Sequence, residues 1–286
     1  MSGRPRLPAG VLTALALLAF AGNSLLCRLA LRSGASDPGS FTLFRLLSGA
    51  FVLSALVRLR RGPEPDPPAW PAALALAAYA IPFSFAYVSL PASTGALLLF
   101  GAVQVTMLAG SLRGGERPHP RQGLGAAIAL GGLLYLLLPG LSAPPLTGAA
   151  LMLVAGVAWG VYSILGRGTT DPLAATATNF QRAVPLAFFA AAPTLTTARL
   201  TSPGVLLALT SGAIASGLGY VIWYAALPRI SRLTASLVQL AVPVLTAFAG
   251  VLLLGESLTP HLLLAGSLVL GGIALGVIVV PPRRTS

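Results

Sequence analysis

The sequence predicts an all-α integral membrane protein, in which ten transmembrane helices form two inverted five-helix repeats and both termini lie in the cytoplasm. Three observations predict this fold: an apolar composition, apolar stretches of membrane-crossing length, and an internal match between the two halves. Of the 286 residues, 56% are hydrophobic and only 8% are charged. Because soluble domains carry roughly 25% charged residues, the composition excludes the soluble, fibrous and disordered classes.

Ten apolar stretches are long enough to cross about 30 Å of hydrocarbon as helices. Turn-forming residues separate them, for example in the segments 33–38, 62–68 and 139–145, which are rich in Gly, Pro and Ser. The predicted spans are residues 9–31, 39–57, 69–90, 92–112, 122–138, 146–166, 172–192, 204–227, 233–253 and 261–280.

The arginines predict the orientation of these spans. The formal net charge of +12 comes from 18 basic residues, all of them Arg, against six acidic ones. The Arg residues lie in short clusters between apolar runs, which indicates the positive-inside rule rather than contacts with nucleic acid phosphates. With the N-terminus inside, thirteen Arg face the cytoplasm, three lie outside, and Arg45 and Arg182 fall within spans. We therefore expect a multi-pass protein of the cell inner (plasma) membrane, with membrane lipid around it and no nucleic acid partner.

An internal duplication is the most specific signal in the chain. A Gly-Glu pair, a Pro and a Gly-Gly pair recur in the same order 140 residues further on. The matched residues are Gly115-Glu116, Pro120 and Gly131-Gly132 in the first copy, and Gly255-Glu256, Pro260 and Gly271-Gly272 in the second. Similar offsets relate Phe20 to Trp159 and Arg45 to Arg182. Because five spans, an odd number, separate the copies, the repeats 9–138 and 146–280 are predicted to enter the membrane in opposite orientations, an arrangement typical of secondary transporters.

Two five-span units, each with Gly-Glu, a turn with Pro and a last helix with Gly-Gly, resemble the EamA-type members of the drug/metabolite transporter superfamily. The resemblance covers nearly the whole chain, and it is greatest for the YddG-type exporters of aromatic amino acids. It implies a secondary transporter and not an enzyme, with a small-molecule substrate and no cofactor. Such a transporter would export amino acids, aromatic ones favoured, and related amphipathic metabolites by alternating access through a central cavity.

Arg45 and Arg182 are the ionisable residues predicted deep in the hydrocarbon, where each costs about 2.5–3.5 kcal/mol to insert. The six acidic residues all fall in loops or at span ends, so no carboxylate pairs with either Arg at its own depth. A substrate carboxylate or phosphate, water or backbone carbonyls could satisfy them, or they could tie helix ends together and build the fold. At 1.5 Å per residue each lies roughly 10–15 Å from its span end, and we expect the two guanidinium groups to flank the midplane.

Aromatic and amide side chains supply the other candidate site residues. Rings at helical spacing near mid-span are predicted to line a cavity, whereas Trp70, Tyr87 and Tyr224, within a turn of span ends, are predicted to join interfacial belts. Mid-span amides need hydrogen-bond partners in lipid. The predicted substrate-binding residues are Arg45, Arg182, Asn23, Tyr79, Phe83, Gln104, Trp159, Tyr162, Gln181, Tyr220, Trp223 and Gln239.

Several alternatives remain open from the sequence. Two Arg residues could clamp a phosphate, which would indicate transport of phosphorylated metabolites or nucleotide sugars. An intramembrane enzyme would need a nucleophile, an acid/base pair or a metal group, and a scaffold would transport nothing. The two His residues lack the companions of a metal site, and no phosphate-binding loop with Lys is present. Small-residue motifs at 156–160 and 272–276 are predicted to pack within a monomer, with a weak dimer as the alternative.

Overall fold

The computed structural model of the chain describes residues 7–60, 70–115, 119–137, 145–193, 198–254 and 260–278. Within these ranges the secondary structure is helical, apart from an isolated β-bridge between Ser36 and Leu200. The α-helices are α1 (Ala9–Arg32), α2 (Pro38–Leu59), α3 (Trp70–Ser89), α4 (Ala92–Arg113), α5 (Pro120–Leu137), α6 (Leu146–Gly166), α7 (Pro172–Ala191), α8 (Ser202–Thr210), α9 (Gly219–Ala226), α10 (Arg232–Gln239), α11 (Ala241–Leu254) and α12 (Pro260–Ile278). A π-helix, Ser211–Leu218, joins α8 to α9, and a single residue, Leu240, separates α10 from α11.

The helices are those of a multi-pass integral membrane protein. In the described ranges, the following seven segments are long and apolar enough to cross a membrane: Ala9–Arg32, Pro38–Leu59, Trp70–Ser89, Ala92–Arg113, Leu146–Gly166, Ser202–Arg229 and Thr234–Leu253. Their outer faces carry large apolar side chains, such as Phe51, which is 76% exposed, and lipid would cover these. The count of ten spans and the cytoplasmic termini stay predictions, since residues 1–6 and 279–286 lie outside the described ranges.

The starts of α2 and α7 follow from the same local sequence. Each helix has Pro as its first residue and an Asp as its N-cap. Asp37 Oδ1 accepts from the Ser40 amide at 2.9 Å, and Asp171 Oδ1 accepts from the amides of Leu173 and Ala174 at 3.2 Å. A side-chain oxygen there satisfies an amide that has no partner within the helix, and Pro fits the first turn because it has no N–H to satisfy.

The pattern of helix packing stays the same when the two halves of the chain are exchanged. Helix α2 packs against α7, α5 against α12, and α4 against both α10 and α11. Helix α3 packs against α6, while α1, the counterpart of α6, packs against the helix formed by α8, the π-segment and α9. Exchange of the two halves therefore converts each of these contacts either into itself or into another of them. Glu116 and Gly255-Glu256 of the duplicated motif lie outside the described residues, as do the predicted turn segments 62–68 and 139–144.

Glycines allow the closest of these helix contacts. A Cβ on Gly272 would lie 2.6 Å from the Gly125 carbonyl oxygen, which brings α12 and α5 together. A Cβ on Gly156 or on Gly160 would meet the Ala102 or Thr106 side chain at 2.7 Å, which brings α6 and α4 together. The small-residue motifs of the sequence are therefore used for packing inside the chain.

Contacts at both ends of α2 tie the halves of the chain to each other. At its start, the Asp37 amide donates to the Arg199 carbonyl at 3.1 Å, and the Thr201 amide donates to the Ala35 carbonyl at 3.0 Å. At its end, Arg60 forms an ion pair with Asp171, the N-cap of α7. Between these ends, the middle of α2 faces a core of aromatic and polar side chains.

Candidate substrate-binding site

Arg45 lies at the centre of a hydrogen-bond network between the two halves of the chain. Its side chain is fully buried. Nε donates to Ser216 Oγ at 2.9 Å, and Nη2 donates to the hydroxyl oxygens of Tyr220 at 2.8 Å and Tyr79 at 3.1 Å. The guanidinium carbon also lies 5.1 Å from the ring centroid of Phe83 and 5.3 Å from that of Tyr79, within cation–π distance. Side chains from α2, α3, the π-segment and α9 therefore meet around this cation.

Asn23 on α1 connects this network to the π-segment. Its Oδ1 accepts from Ser211 at 2.7 Å and from Ser216 at 3.2 Å, while Nδ2 donates to the Tyr79 hydroxyl oxygen at 3.0 Å. The two serines lie five positions apart, so in an α-helix of 3.6 residues per turn they would point about 140° apart. The wider turn of the π-helix brings them to one face, and this is how both reach the same amide oxygen.

The site is rich in hydrogen-bond donors and has no described anion. Of the six acidic residues, Asp37 and Asp171 lie in the described ranges, and both cap helices. The Tyr79 hydroxyl oxygen receives hydrogen bonds from three groups, on Arg45, Asn23 and Tyr220. Arg45 Nη1 has no hydrogen-bond partner among the described residues. A buried cation that contacts only neutral oxygens and ring faces is expected to attract an anionic group.

Trp159 on α6 is the centre of an aromatic cluster beside Arg45. Its ring centroid lies 4.6 Å from Tyr220, 5.0 Å from both Tyr79 and Phe20, and 5.5 Å from Tyr162. All five rings are buried. Phe20 and Trp159, which the sequence matches between the repeats, thus touch each other at the interface of the halves.

The edge of the cluster is polar. The Trp159 indole N–H donates to Gln239 Oε1 at 2.7 Å. Gln239 Nε2 contacts Met107 Sδ at 3.0 Å and donates to the Ala235 carbonyl at 3.1 Å. Gln104, one helical turn before Met107 on α4, is 1% exposed, and neither atom of its amide has a hydrogen-bond partner among the described residues.

The remaining aromatic candidates, Trp223 and Tyr162, belong to the second half of the chain and are held by contacts inside the protein. The Trp223 indole N–H donates to Ser163 Oγ at 3.1 Å, and its ring centroid lies 5.6 Å from Phe20. The Tyr162 hydroxyl accepts from Asn179 Nδ2 at 3.5 Å. These rings extend the aromatic cluster towards α7 and α9.

Arg182 and Gln181 are not brought to this site. The Arg182 guanidinium lies 4.7 Å over the ring of Trp70, the first residue of α3. The Gln181 side chain is exposed and donates to Ser54 Oγ at 2.7 Å. The structure thus separates Arg182 from the Arg45 network. That the two guanidinium groups flank the midplane stays a prediction. Of the two arginines, Arg45 alone joins the network.

Two tyrosines expected in the interfacial belts are core residues instead. Tyr87 and Tyr224 are 0% and 1% exposed, whereas Trp70 is 51% exposed. Position along a helix does not reveal which way a side chain points, and these two point inward. Ser211 and Ser216 were not predicted at all, because a serine in an apolar helix is common and the π-helix that aligns them has no sequence signature.

Comparisons with known proteins identify relatives of nearly the whole chain. The EamA-like transporter family matches residues 7–138 and 146–278. An uncharacterized protein of Pseudomonas aeruginosa is 56% identical, over 96% of this chain and 94% of its own length. A probable terminal-alkyne amino-acid exporter of Streptantibioticus cattleyicolor is 29% identical, over 71% of this chain and 70% of its own length. One solved crystal structure, 21% identical, covers 96% of this chain and 99% of its own with a TM-score of 0.75, which shows a shared fold.

Proposed function

Because the chain belongs to the EamA-like transporter family of the drug/metabolite transporter superfamily, we propose that it is a secondary transporter of the cell inner membrane. It exports amino acids, aromatic ones favoured, and related amphipathic metabolites by alternating access. The buried Arg45 cation at the contact of the two halves is the observation on which this proposal depends. The similarity to the probable terminal-alkyne amino-acid exporter supports the same substrate class.

In this proposal Arg45 binds the substrate carboxylate. The unpartnered Nη1 offers two N–H donors, and the phenol hydroxyls of Tyr79 and Tyr220 can turn towards an incoming anion. The ring cluster around Trp159 then provides an apolar surface for the side chain. Because this cluster joins residues of both halves, separating the halves would open the site to one side of the membrane.

The proposed topology has ten spans, two inverted repeats over 9–138 and 146–280, and cytoplasmic termini. The exchange-symmetric packing of the helices supports it, since a two-fold axis in the membrane plane would produce that pattern. The Arg-rich connections support the orientation. Rocking of one half against the other, about contacts such as α2 with α7, would move the site from one face to the other.

A carboxylate fits this site better than a phosphate. A phosphate clamp would use both arginines, whereas Arg182 contacts Trp70 at the start of α3 rather than the Arg45 network. Transport of phosphorylated metabolites or nucleotide sugars is therefore the weaker candidate. No observation on the described residues favours an enzyme or a scaffold.

Substitution of Arg45 tests the proposal. In proteoliposomes, Arg45→Gln is expected to lower the uptake of labelled phenylalanine at least about tenfold more than the uptake of phenylalaninamide, which has no carboxylate. The factor follows because hydrogen bonds to a charged group contribute about 1.5–3 kcal/mol. Arg58→Gln is the matched control, since Arg58 is exposed on the same helix. Equal losses on both substrates would make Arg45 a structural residue and contradict the proposed role.

A further inference from the structure

The amide of Gln104 is a buried polar group whose hydrogen bonds are unfilled. The side chain is 1% exposed, and both Nε2 and Oε1 lack partners among the described residues. A buried amide without hydrogen-bond partners destabilises the folded chain, since it has lost its bonds to water. Its donor and acceptor are thus available to a ligand that enters beside α4.

The surroundings of Gln104 follow from two contacts between α4 and α10. Arg232 Nη1, at the start of α10, donates to the Gly110 carbonyl at 3.3 Å, and Gln239, at its end, contacts Met107 at 3.0 Å. Helix α10 therefore runs antiparallel to α4, and Gln104 lies one helical turn before Met107 on α4. Gln104, Met107 and Gln239 define what we call the amide niche.

The amide niche is separated from Arg45 by two aromatic rings in series. Arg45 Cζ lies 5.3 Å from the Tyr79 ring centroid, which lies 5.0 Å from that of Trp159, whose indole N–H reaches Gln239. The ammonium and carboxylate of one amino acid are attached to the same carbon and cannot reach both places. A molecule whose carboxylate is held at Arg45 can reach the amide niche only with the far end of its side chain.

Trp159 shows which chemical group the amide niche accepts. Its indole N–H, a polar donor on the edge of an otherwise apolar ring, occupies Gln239 Oε1 at 2.7 Å. The rest of the ring packs against other rings, as a substrate ring would. A phenol O–H or an indole N–H of a substrate has the same combination of ring and donor.

We propose that the amide niche is a specificity subsite, in which the unpaired amide of Gln104, beside Gln239, binds the polar atom on the ring of an aromatic amino acid. The transporter then prefers tyrosine and tryptophan to phenylalanine, because a phenyl ring leaves the buried amide of Gln104 unpaired. The inference rests on the proposed function and adds to it a chemical class: aromatic amino acids with a hydrogen-bond donor on the ring.

Competition experiments in proteoliposomes test this subsite. Uptake of labelled phenylalanine by the wild-type chain is competed with unlabelled tyrosine, tryptophan or phenylalanine, and the half-inhibiting concentrations are compared. Tyrosine and tryptophan are expected to compete about fivefold more effectively than phenylalanine, the effect of one net hydrogen bond. In Gln104→Met this preference is expected to fall below about twofold through weaker competition by tyrosine and tryptophan, with phenylalanine unchanged.

Two further measurements separate specificity from folding. Gln122→Met removes another buried Gln, whose Oε1 accepts from the His119 amide at 3.1 Å on α5, and is expected to keep the wild-type preference. The melting temperature of Gln104→Met is expected to equal or exceed that of the wild type, since the variant removes unpaired polar atoms at similar volume.

The outcomes distinguish this inference from the proposed function. Uptake of phenylalanine without a preference for tyrosine and tryptophan would contradict the subsite alone. So would an equal loss of all three amino acids in a Gln104→Met protein of unchanged melting temperature. If the wild-type chain moves none of the three, the proposed function is wrong and the subsite with it.

Discussion

Ser216 and Ser211 form a matched pair that tests how the Arg45 network is stabilised. Both are fully buried in the π-segment, and both donate to Asn23 Oδ1. Only Ser216 also accepts a hydrogen bond from the Arg45 guanidinium, at 2.9 Å. Ser216→Ala therefore removes a charge-assisted hydrogen bond, whereas Ser211→Ala removes a neutral one and leaves Asn23 with the Ser216 donor.

The expected magnitudes follow from these contacts. A hydrogen bond to a charged group contributes about 1.5–3 kcal/mol, and a neutral one between membrane helices averages about 0.6 kcal/mol. We expect Ser216→Ala to lower the free energy of unfolding by about 1–2 kcal/mol more than Ser211→Ala. Both variants leave the ring contacts of the cluster in place.

Unfolding in mixed detergent micelles measures this difference, both in the wild-type background and in an Arg45→Met background. In an Arg45→Met background the extra cost of Ser216→Ala is expected to vanish, because the charged donor is gone. Equal losses for the two serines in the wild-type background would refute the reasoning, and so would an extra cost that persists without Arg45. Either result would mean that the hydrogen bond to Arg45 contributes nothing to stability.

Two more predictions concern a helix end and the aromatic cluster. Asp171→Ala removes the N-cap of α7 as well as the partner of Arg60. It should lower the free energy of unfolding by about 1–2 kcal/mol. Arg60→Ala removes the ion pair alone and should lower it by less than about 1 kcal/mol in the same unfolding assay. Equal losses for the two variants would show that the ion pair, and not the cap, accounts for the effect. Trp159→Ala removes the ring that contacts Tyr79, Tyr220 and Phe20, and should lower phenylalanine uptake more than alanine uptake in proteoliposomes. Equal losses for both substrates would separate this ring from side-chain binding.

The sequence contains most of the information on the helices because the hydrocarbon imposes simple constraints. Apolar runs of about 20 residues and Asp-Pro pairs such as Asp37-Pro38 and Asp171-Pro172 mark helices whose bounds agree with the structure to within a few residues. The duplicated Arg and Gly positions indicate which helices correspond. The break at Leu240 has a local cause, because Pro243 in the ninth predicted span has no N–H to donate to the Gln239 carbonyl. The π-segment could not be predicted, because no residue preference marks it.

The candidate site was partly predictable for a physical reason. A charge in hydrocarbon must be satisfied, so Arg45 and the rings and amides near mid-span could be identified from residue type and depth alone. Arg182 met the same criteria, yet its flexible side chain places the charge over Trp70. The sequence shows how deep a residue lies in a helix, but it does not show which way the side chain points. Neighbouring residues decide that direction, as Trp70 does for Arg182 and Asn23 does for the two serines.

Counterflow of labelled phenylalanine tests the central claim most directly. Liposomes that contain the purified chain are loaded with unlabelled phenylalanine and diluted into a trace of the labelled amino acid, next to liposomes with Arg45→Gln. The account predicts transient accumulation of label with the wild-type chain and little or none with Arg45→Gln. The account is contradicted if the folded wild-type chain accumulates no label, or if Arg45→Gln accumulates as much label as the wild type.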